Sequence, residues 1–185
     1  MKKLIFCLIV LFYSSALPQV IISKAYSTDL ENGNGLFANF DFVFVADDTA
    51  GLKIYELKTI NPFPLTLLSN YKHPSGAAQK VFVEGNYAYV AYGSEGLVIL
   101  DISNPSSPSL VSSLNIGNAF HIYVEGQYAY LIVSDSIKIV NISNPALPVL
   151  TGIYKPAPLA YPQGIFVKTD IYFLQKTVQM ADLNI

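Results

Sequence analysis

Cysteine is almost absent: Cys7 is the only one in 185 residues, and it lies in an apolar stretch near the amino terminus. A disulfide framework is thereby excluded, as are Cys-ligated metal sites and, once that stretch is removed, any thiolate nucleophile. Charge is scarce too. Asp, Glu, Lys and Arg make up 13% of the chain, and 11 Lys+Arg stand against 13 Asp+Glu for a net charge of -2. Without a basic excess nothing neutralises a phosphate backbone, so nucleic acid is not an expected partner. Motifs of the H-E-x-x-H, G-x-S-x-G and G-x-x-x-x-G-K-[ST] kinds are missing, and no Cys/His metal spacing occurs. The expectation is therefore no catalytic set, no metal and no cofactor. No apolar run approaches the roughly 20 residues that a bilayer-spanning helix needs, which argues against a permanent membrane span.

The chain is instead rich in apolar and aromatic side chains. It is 52% hydrophobic, with 13 Tyr and 11 Phe, punctuated by 11 Pro and 11 Gly. That composition favours short strands separated by turns. Its first residues differ from the rest: Lys2 and Lys3 precede the apolar run from Leu4 to Tyr13, and Ser14, Ser15 and Ala16 follow. Charge, apolar core and small residues in that order are the layout of a secretory signal, expected here over residues 1–16 with cleavage after Ala16. Membrane contact is then expected only through this segment during export, and the location is extracytoplasmic: periplasm, cell surface or secreted.

Self-similarity organises the remainder. Residues 81–108 read VFVEGNYAYVAYGSEGLVILDISNPSSP, and residues 122–148 read IYVEGQYAYLIVSDSIKIVNISNPALP. Val83 and Val124 are 41 positions apart, whereas Asp101 and Asn141 are 40 apart, so the second copy has lost one residue in the turn between its middle strands. A weaker copy, FVFVADDTAGLKIYE at 42–56, precedes them at an offset of 45, and a fourth begins IFVKTDIYF at Ile165. The units cover approximately 36–72, 81–116, 122–155 and 165–185.

Each unit decodes into four strands. In the second, Val81-Phe82-Val83 is a short apolar strand, Gly85 and Asn86 supply a tight turn, and Tyr87 to Tyr92 alternates aromatic with small or β-branched residues. Leu97 to Asp101 is an apolar run suited to burial on both faces. The Asn-Pro segment then interrupts the ladder, because proline has no N–H to donate. Leu110 to Ile116 is more polar and suited to an edge. Four antiparallel strands per unit of about 40–45 residues match the blade of a β-propeller, and no segment carries a helical apolar stripe.

The motifs GNYAYVAYGSEGLVILDISNP (85–105) and GQYAYLIVSDSIKIVNISNP (126–145), with a degenerate copy AGLKIYELKTINPFP (50–64), resemble the LVIVD repeat family. The resemblance implies an all-β propeller of four-stranded blades in an exported or surface protein of bacteria or archaea, and it brings no catalytic residues. Residues 18–26 resemble an outer strand and would complete the fourth unit, closing a four-bladed ring. The chain being a piece of a larger propeller is the other reading.

Candidate site residues follow from that architecture. Asp47, Asp48, Glu95 and Asp135 fall in the turns between second and third strands, which a propeller brings to one face; Lys176 occupies the place in the fourth unit. Carboxylates converging there would attract cations or basic partners, although such residues also serve as turn formers. The connections from outer to inner strands, residues 32–35, 74–77, 117–119 and 161–164, surround one channel mouth and vary while the strands repeat. With them come Gly76, Asn118 and Gln163, beside His73 and His121. The two histidines occupy non-corresponding positions and read as loop-side or channel-mouth residues. Asp101, Glu56, Asn141 and Asp182 recur at third-strand ends, where a short oxygen-bearing side chain accepts turn amides. A non-enzymatic interaction or scaffold module, with a protein or glycan ligand, is the leading expectation. A hydrolase or hydrolase subunit using Asp47, Asp48 and Glu95 is an alternative, and a cation- or carbohydrate-binding module is a third.

Overall fold

The computed structural model describes residues 6–14, 17–25, 33–57, 65–156, 164–168 and 170–174, and these contain strands and turns but no helix. Three four-stranded antiparallel sheets follow one another along the chain. The first is β3 (Gly35–Ala38), β4 (Phe42–Ala46), β5 (Leu52–Leu57) and β6 (Leu65–Tyr71). The second is β7 (Lys80–Glu84), β8 (Tyr87–Ala91), β9 (Leu97–Asp101) and β10 (Ser109–Leu114). β11 (Ala119–Glu125), β12 (Tyr128–Val133), β13 (Ser136–Asn141) and β14 (Val149–Tyr154) make the third. A hairpin of β15 (Gly164–Lys168) and β16 (Asp170–Leu174) begins a fourth. Asp182 and Lys176 lie outside the described residues.

Strand order within every sheet equals sequence order, and the first strands β3, β7, β11 and β15 adjoin one another. The sheets are thus blades set face to face, joined along their inner edges as in a propeller. Among the described residues the ring is not closed. Leu17–Ala25 (β2) pairs with Phe6–Ser14 (β1) as a separate two-stranded sheet, so the closing role expected of residues 18–26 is not among the pairings seen.

The core lies between blades because β-strand side chains alternate faces. On β9, Val98 and Leu100 face blade 1 in a cluster with Phe44, Leu52, Ile54 and Val81. Leu97 and Ile99 face blade 3 with Ile122, Leu131 and Val140. All four β9 residues are 0% exposed, as the apolar run predicted for a strand covered on both sides.

The turns obey local chemistry. Gly85 and Gly126, both at φ 58°, take the first central position of two-residue loops, where a left-handed conformation favours glycine. The Asp101 carboxylate accepts the Ser103 amide at 2.7 Å and Asn141 Oδ1 accepts that of Ser143 at 2.9 Å, the turn role expected of them. The Ser103 amide holds the Asp101 carboxyl below its ordinary pKa. In the third blade the middle turn is shorter, Ser134-Asp135 alone between the paired Val133 and Ser136, as the missing residue predicted.

The Asn-Pro segment does more than interrupt the ladder. A bulge recurs where each outer strand meets its neighbour, at Leu68, Val111 and Thr151. It aims the next side chain at the following blade: Ser69 Oγ donates to the Pro105 carbonyl and Ser112 Oγ to the Pro145 carbonyl, both at 2.6 Å. Gly152 holds the corresponding place in blade 3, which has no hydroxyl to continue this series.

Candidate functional site

Middle-strand turns and outer-to-inner connections meet at one end of the blades because the backbone stitches them together. Asp48 (φ 50°) exchanges two backbone hydrogen bonds with Ala78, at 3.0 and 2.9 Å, and Gly93 (φ 53°) exchanges two with Ala119, at 3.1 and 2.8 Å. These are equivalent positions one blade apart. In blade 3 the Ser134 amide donates to the Asn118 carbonyl at 3.2 Å.

The expected site residues distribute unevenly over this end. His73, Gly76 and Glu95 gather around Tyr92. The His73 amide donates to the Tyr92 hydroxyl at 3.0 Å, the rings lie 5.5 Å apart, and His73 Nδ1 is 3.2 Å from the Ser75 carbonyl oxygen. Gly76 (φ 79°) sits so close to Tyr92 and Glu95 that a Cβ there would meet the Tyr92 carbonyl oxygen at 2.6 Å and Glu95 Cγ at 3.0 Å. Burial pushes the Tyr92 phenol up, and the His73 amide opposes it. Asn118 is exposed, and Asp48 is half-buried against blade 2. Asp135 is exposed and 3.5 Å from Lys155 Nζ, an ion pair of little energetic weight. Gln163 lies outside the described residues.

Asp47 corrects the expectation of a common acidic face. Its side chain is 0% exposed, and Oδ2 lies 2.8 Å from Lys53 Nζ, itself buried. The reason is strand parity: Asp47 continues the side of β4 that carries Val43 and Val45, which is turned away from blade 2 and belongs to a separate buried cluster with Tyr55 and Leu57. The turn acids therefore do not converge as one set. Among the described residues, no group of three or more His, Cys, Asp or Glu is placed to hold a metal ion, and no helix is long and apolar enough to cross a membrane.

The inner edge carries a layered wall that reading the units one at a time missed. In one register Gly35, Lys80, His121 and Gly164 occupy equivalent places on β3, β7, β11 and β15; two residues on come Phe37, Phe82 and Tyr123; two further, Glu84 and Glu125. The aromatic layer is continuous, with ring centroids 5.2 Å apart for Phe37–Phe82 and 5.1 Å for Phe82–Tyr123, and all three rings are half-buried. Glu125 and Glu84 lie near enough to the Tyr123 phenol to raise its pKa, beyond what burial does. Lys80 drapes its stem over Gly35, where a Cβ would meet Lys80 Cδ at 2.8 Å. The signal was present in the sequence as a column, 35, 80, 121 and 164, that differs between copies while the next position, 36, 81, 122 and 165, is aliphatic in each.

His121 is the most perturbed group in this wall. Its Nδ1 is buried and has no hydrogen-bond partner among the described residues. Desolvation, reinforced by the nearby Lys80 ammonium, lowers its pKa from 6.5 to about 4. The folded state thus holds a neutral ring where the unfolded chain binds a proton. Stability is fully present above pH 6.5 and is lost as pH falls from there toward about 4. Urea midpoints measured across that window are expected to fall more steeply for the native protein than for a His121→Gln variant.

Comparison with known proteins bears on the frame that carries this wall. The family model for the LVIVD repeat matches residues 75–115 and 116–155, which are blades 2 and 3 with the connections leading into them. No curated protein matches the chain. Among solved structures, a Bacteroides fragilis NCTC 9343 protein provisionally described as a 6-phosphogluconolactonase aligns with TM-score 0.67 at 15% identity, over 83% of this chain and 53% of its own. A functionally unknown protein from Desulfotomaculum acetoxidans DSM 771 aligns with TM-score 0.65 at 15% identity, over 86% and 54%. The computationally designed Ika8 protein gives TM-score 0.58 at 12% identity, over 85% and 52%. The likeness is one of fold, and this chain spans about half the length of each of these structures.

Proposed function

Because this chain carries two LVIVD repeats in a propeller-type stack of blades, we propose that it works outside the cytoplasm as a non-enzymatic binding module, presenting one ligand surface at the loop end and inner edge of its blades. The observation that carries this reading is a contrast between positions. Residues inside the blades repeat in kind from unit to unit, as Val45 does with Val90 and Ala88 with Ala129. The connections and the inner-edge column do not repeat, and variable positions on a repeated frame are where specificity resides. Export is supported by the order of Lys2-Lys3, the apolar run and the small residues up to Ala16. The hydrolase alternative loses its main support, since Asp47 is buried in an ion pair and stands apart from Asp48 and Glu95.

Two measurements test this. Fractionation of the producing cells with amino-terminal sequencing is expected to find the protein outside the cytoplasm beginning at Leu17; a cytoplasmic chain retaining Met1 contradicts export. Screening the purified protein against glycan and peptide arrays is expected to find a ligand that raises the thermal midpoint and is not turned over, since only binding to the folded state does so. Conversion of a bound ligand to product would overturn the non-enzymatic role.

A further inference from the structure

We propose that the inner edge of blades 1 to 3 binds an acidic sugar, a uronic-acid residue of a polysaccharide, with Lys80 taking its carboxylate and Phe82 and Tyr123 its ring. The inference rests on the binding-module reading above and names the ligand class of that surface.

Three features arranged in layers select such a ligand. Lys80 and His121 hold neighbouring places on adjoining inner strands, and among the described residues Lys80 forms no ion pair. The half-buried Lys80 offers an anion a charge-assisted hydrogen bond beside the His121 ring, whose own Nδ1 is enclosed. Next to them the Phe37–Phe82–Tyr123 row gives a strip of partly open ring surface that suits the apolar C–H face of a pyranose. Beyond the row, Glu84 and Glu125 are exposed, acceptor-only groups. They bond hydroxyls and repel a second negative charge. One carboxylate at one end, a stackable ring and hydroxyls at the other describe a uronate. A neutral hexose leaves Lys80 unused, and a dianion meets the two glutamates. Gly35 and Gly164 flank the Lys80–His121 pair in the same register, and the missing side chain at Gly35 makes room for the Lys80 stem.

The test uses the full-length protein and an array of uronic-acid oligosaccharides, each paired with its neutral methyl ester, followed by calorimetric titration of the best binder. The acid form is expected to bind about tenfold or more tightly than its ester, the worth of one charge-assisted hydrogen bond. Lys80→Met, which keeps the stem over Gly35 and removes the charge, is expected to abolish that preference while leaving binding of the ester unchanged. Phe82→Leu is expected to weaken acid and ester alike. Each variant is first checked for a native thermal midpoint, with Lys80→Gln as a second charge-removing change should Met not fold. Equal affinity for acid and ester, or an acid preference that survives loss of Lys80, overturns this assignment. A ligand of another class found at the same residues overturns it and leaves the binding-module reading standing; no ligand of any class removes both.

Discussion

Truncating Leu100 to alanine is expected to lower the unfolding free energy by about 2–5 kcal/mol, and truncating its chain neighbour Ile99 is expected to cost a similar amount. Each change removes a side chain that is 0% exposed and leaves a cavity that the surrounding strands fill only in part. The pairing of the two effects is what matters. Consecutive residues of a strand point to opposite faces, and here Leu100 packs against blade 1 while Ile99 packs against blade 3. A sheet covered on one side only would make one substitution costly and the other nearly silent. Urea denaturation of both variants, with Ser113→Ala on the exposed outer strand as a control expected within about 0.5 kcal/mol of the native protein, reads this directly.

The second large effect belongs to Asp47. Replacing it with alanine leaves the Lys53 ammonium buried without the carboxylate it lies against at 2.8 Å, and breaking one side of such a pair costs about 3–5 kcal/mol. Replacing both residues with leucine is expected to restore most of that loss, because a buried pair repays little more than its own desolvation while an apolar pair packs without it. The double-mutant comparison by chemical denaturation separates the two. Single and double variants equally destabilised would show that the ion pair itself, rather than the penalty of an orphaned charge, stabilises blade 1.

The blades were legible in the sequence because their signals are local. Alternation in YAYVA, the apolar run LVILD, Gly85 at a tight turn and the Asx oxygens of Asp101 and Asn141 each fix a feature within a few residues, and the structure places each where it was expected. The resemblance of the two central units to LVIVD repeats extended this to architecture, and the family model covers those same units. What escaped notice depends on neighbours one blade away. Nothing within residues 42–56 tells that Asp47 points away from blade 2 into a buried cluster rather than outward with Asp48, since that follows from which side of β4 meets the next sheet. The proline carbonyls of Asn-Pro read as ladder breakers, yet they accept hydroxyl hydrogen bonds from the blade before, donated by serines 36 and 33 positions upstream. The Lys80–His121 wall was hidden for the same reason: its members are single residues in separate units, and only the stacking of inner strands puts them side by side.

Blades stitched to one another at the loop end underlie the shared inner edge, and amide hydrogen exchange of the native protein tests that stitching most directly. The amides of Ala78, just before β7, and of Ala119, the first residue of β11, donate to the Asp48 and Gly93 carbonyls of the blade before. They are predicted to be protected to the degree of the central strands β8 and β12. Exchange of these two amides at the rate of the exposed connections, with β8 and β12 still protected, would mean that the blades fold without docking in this way, and the shared inner edge and its ligand wall would go with it.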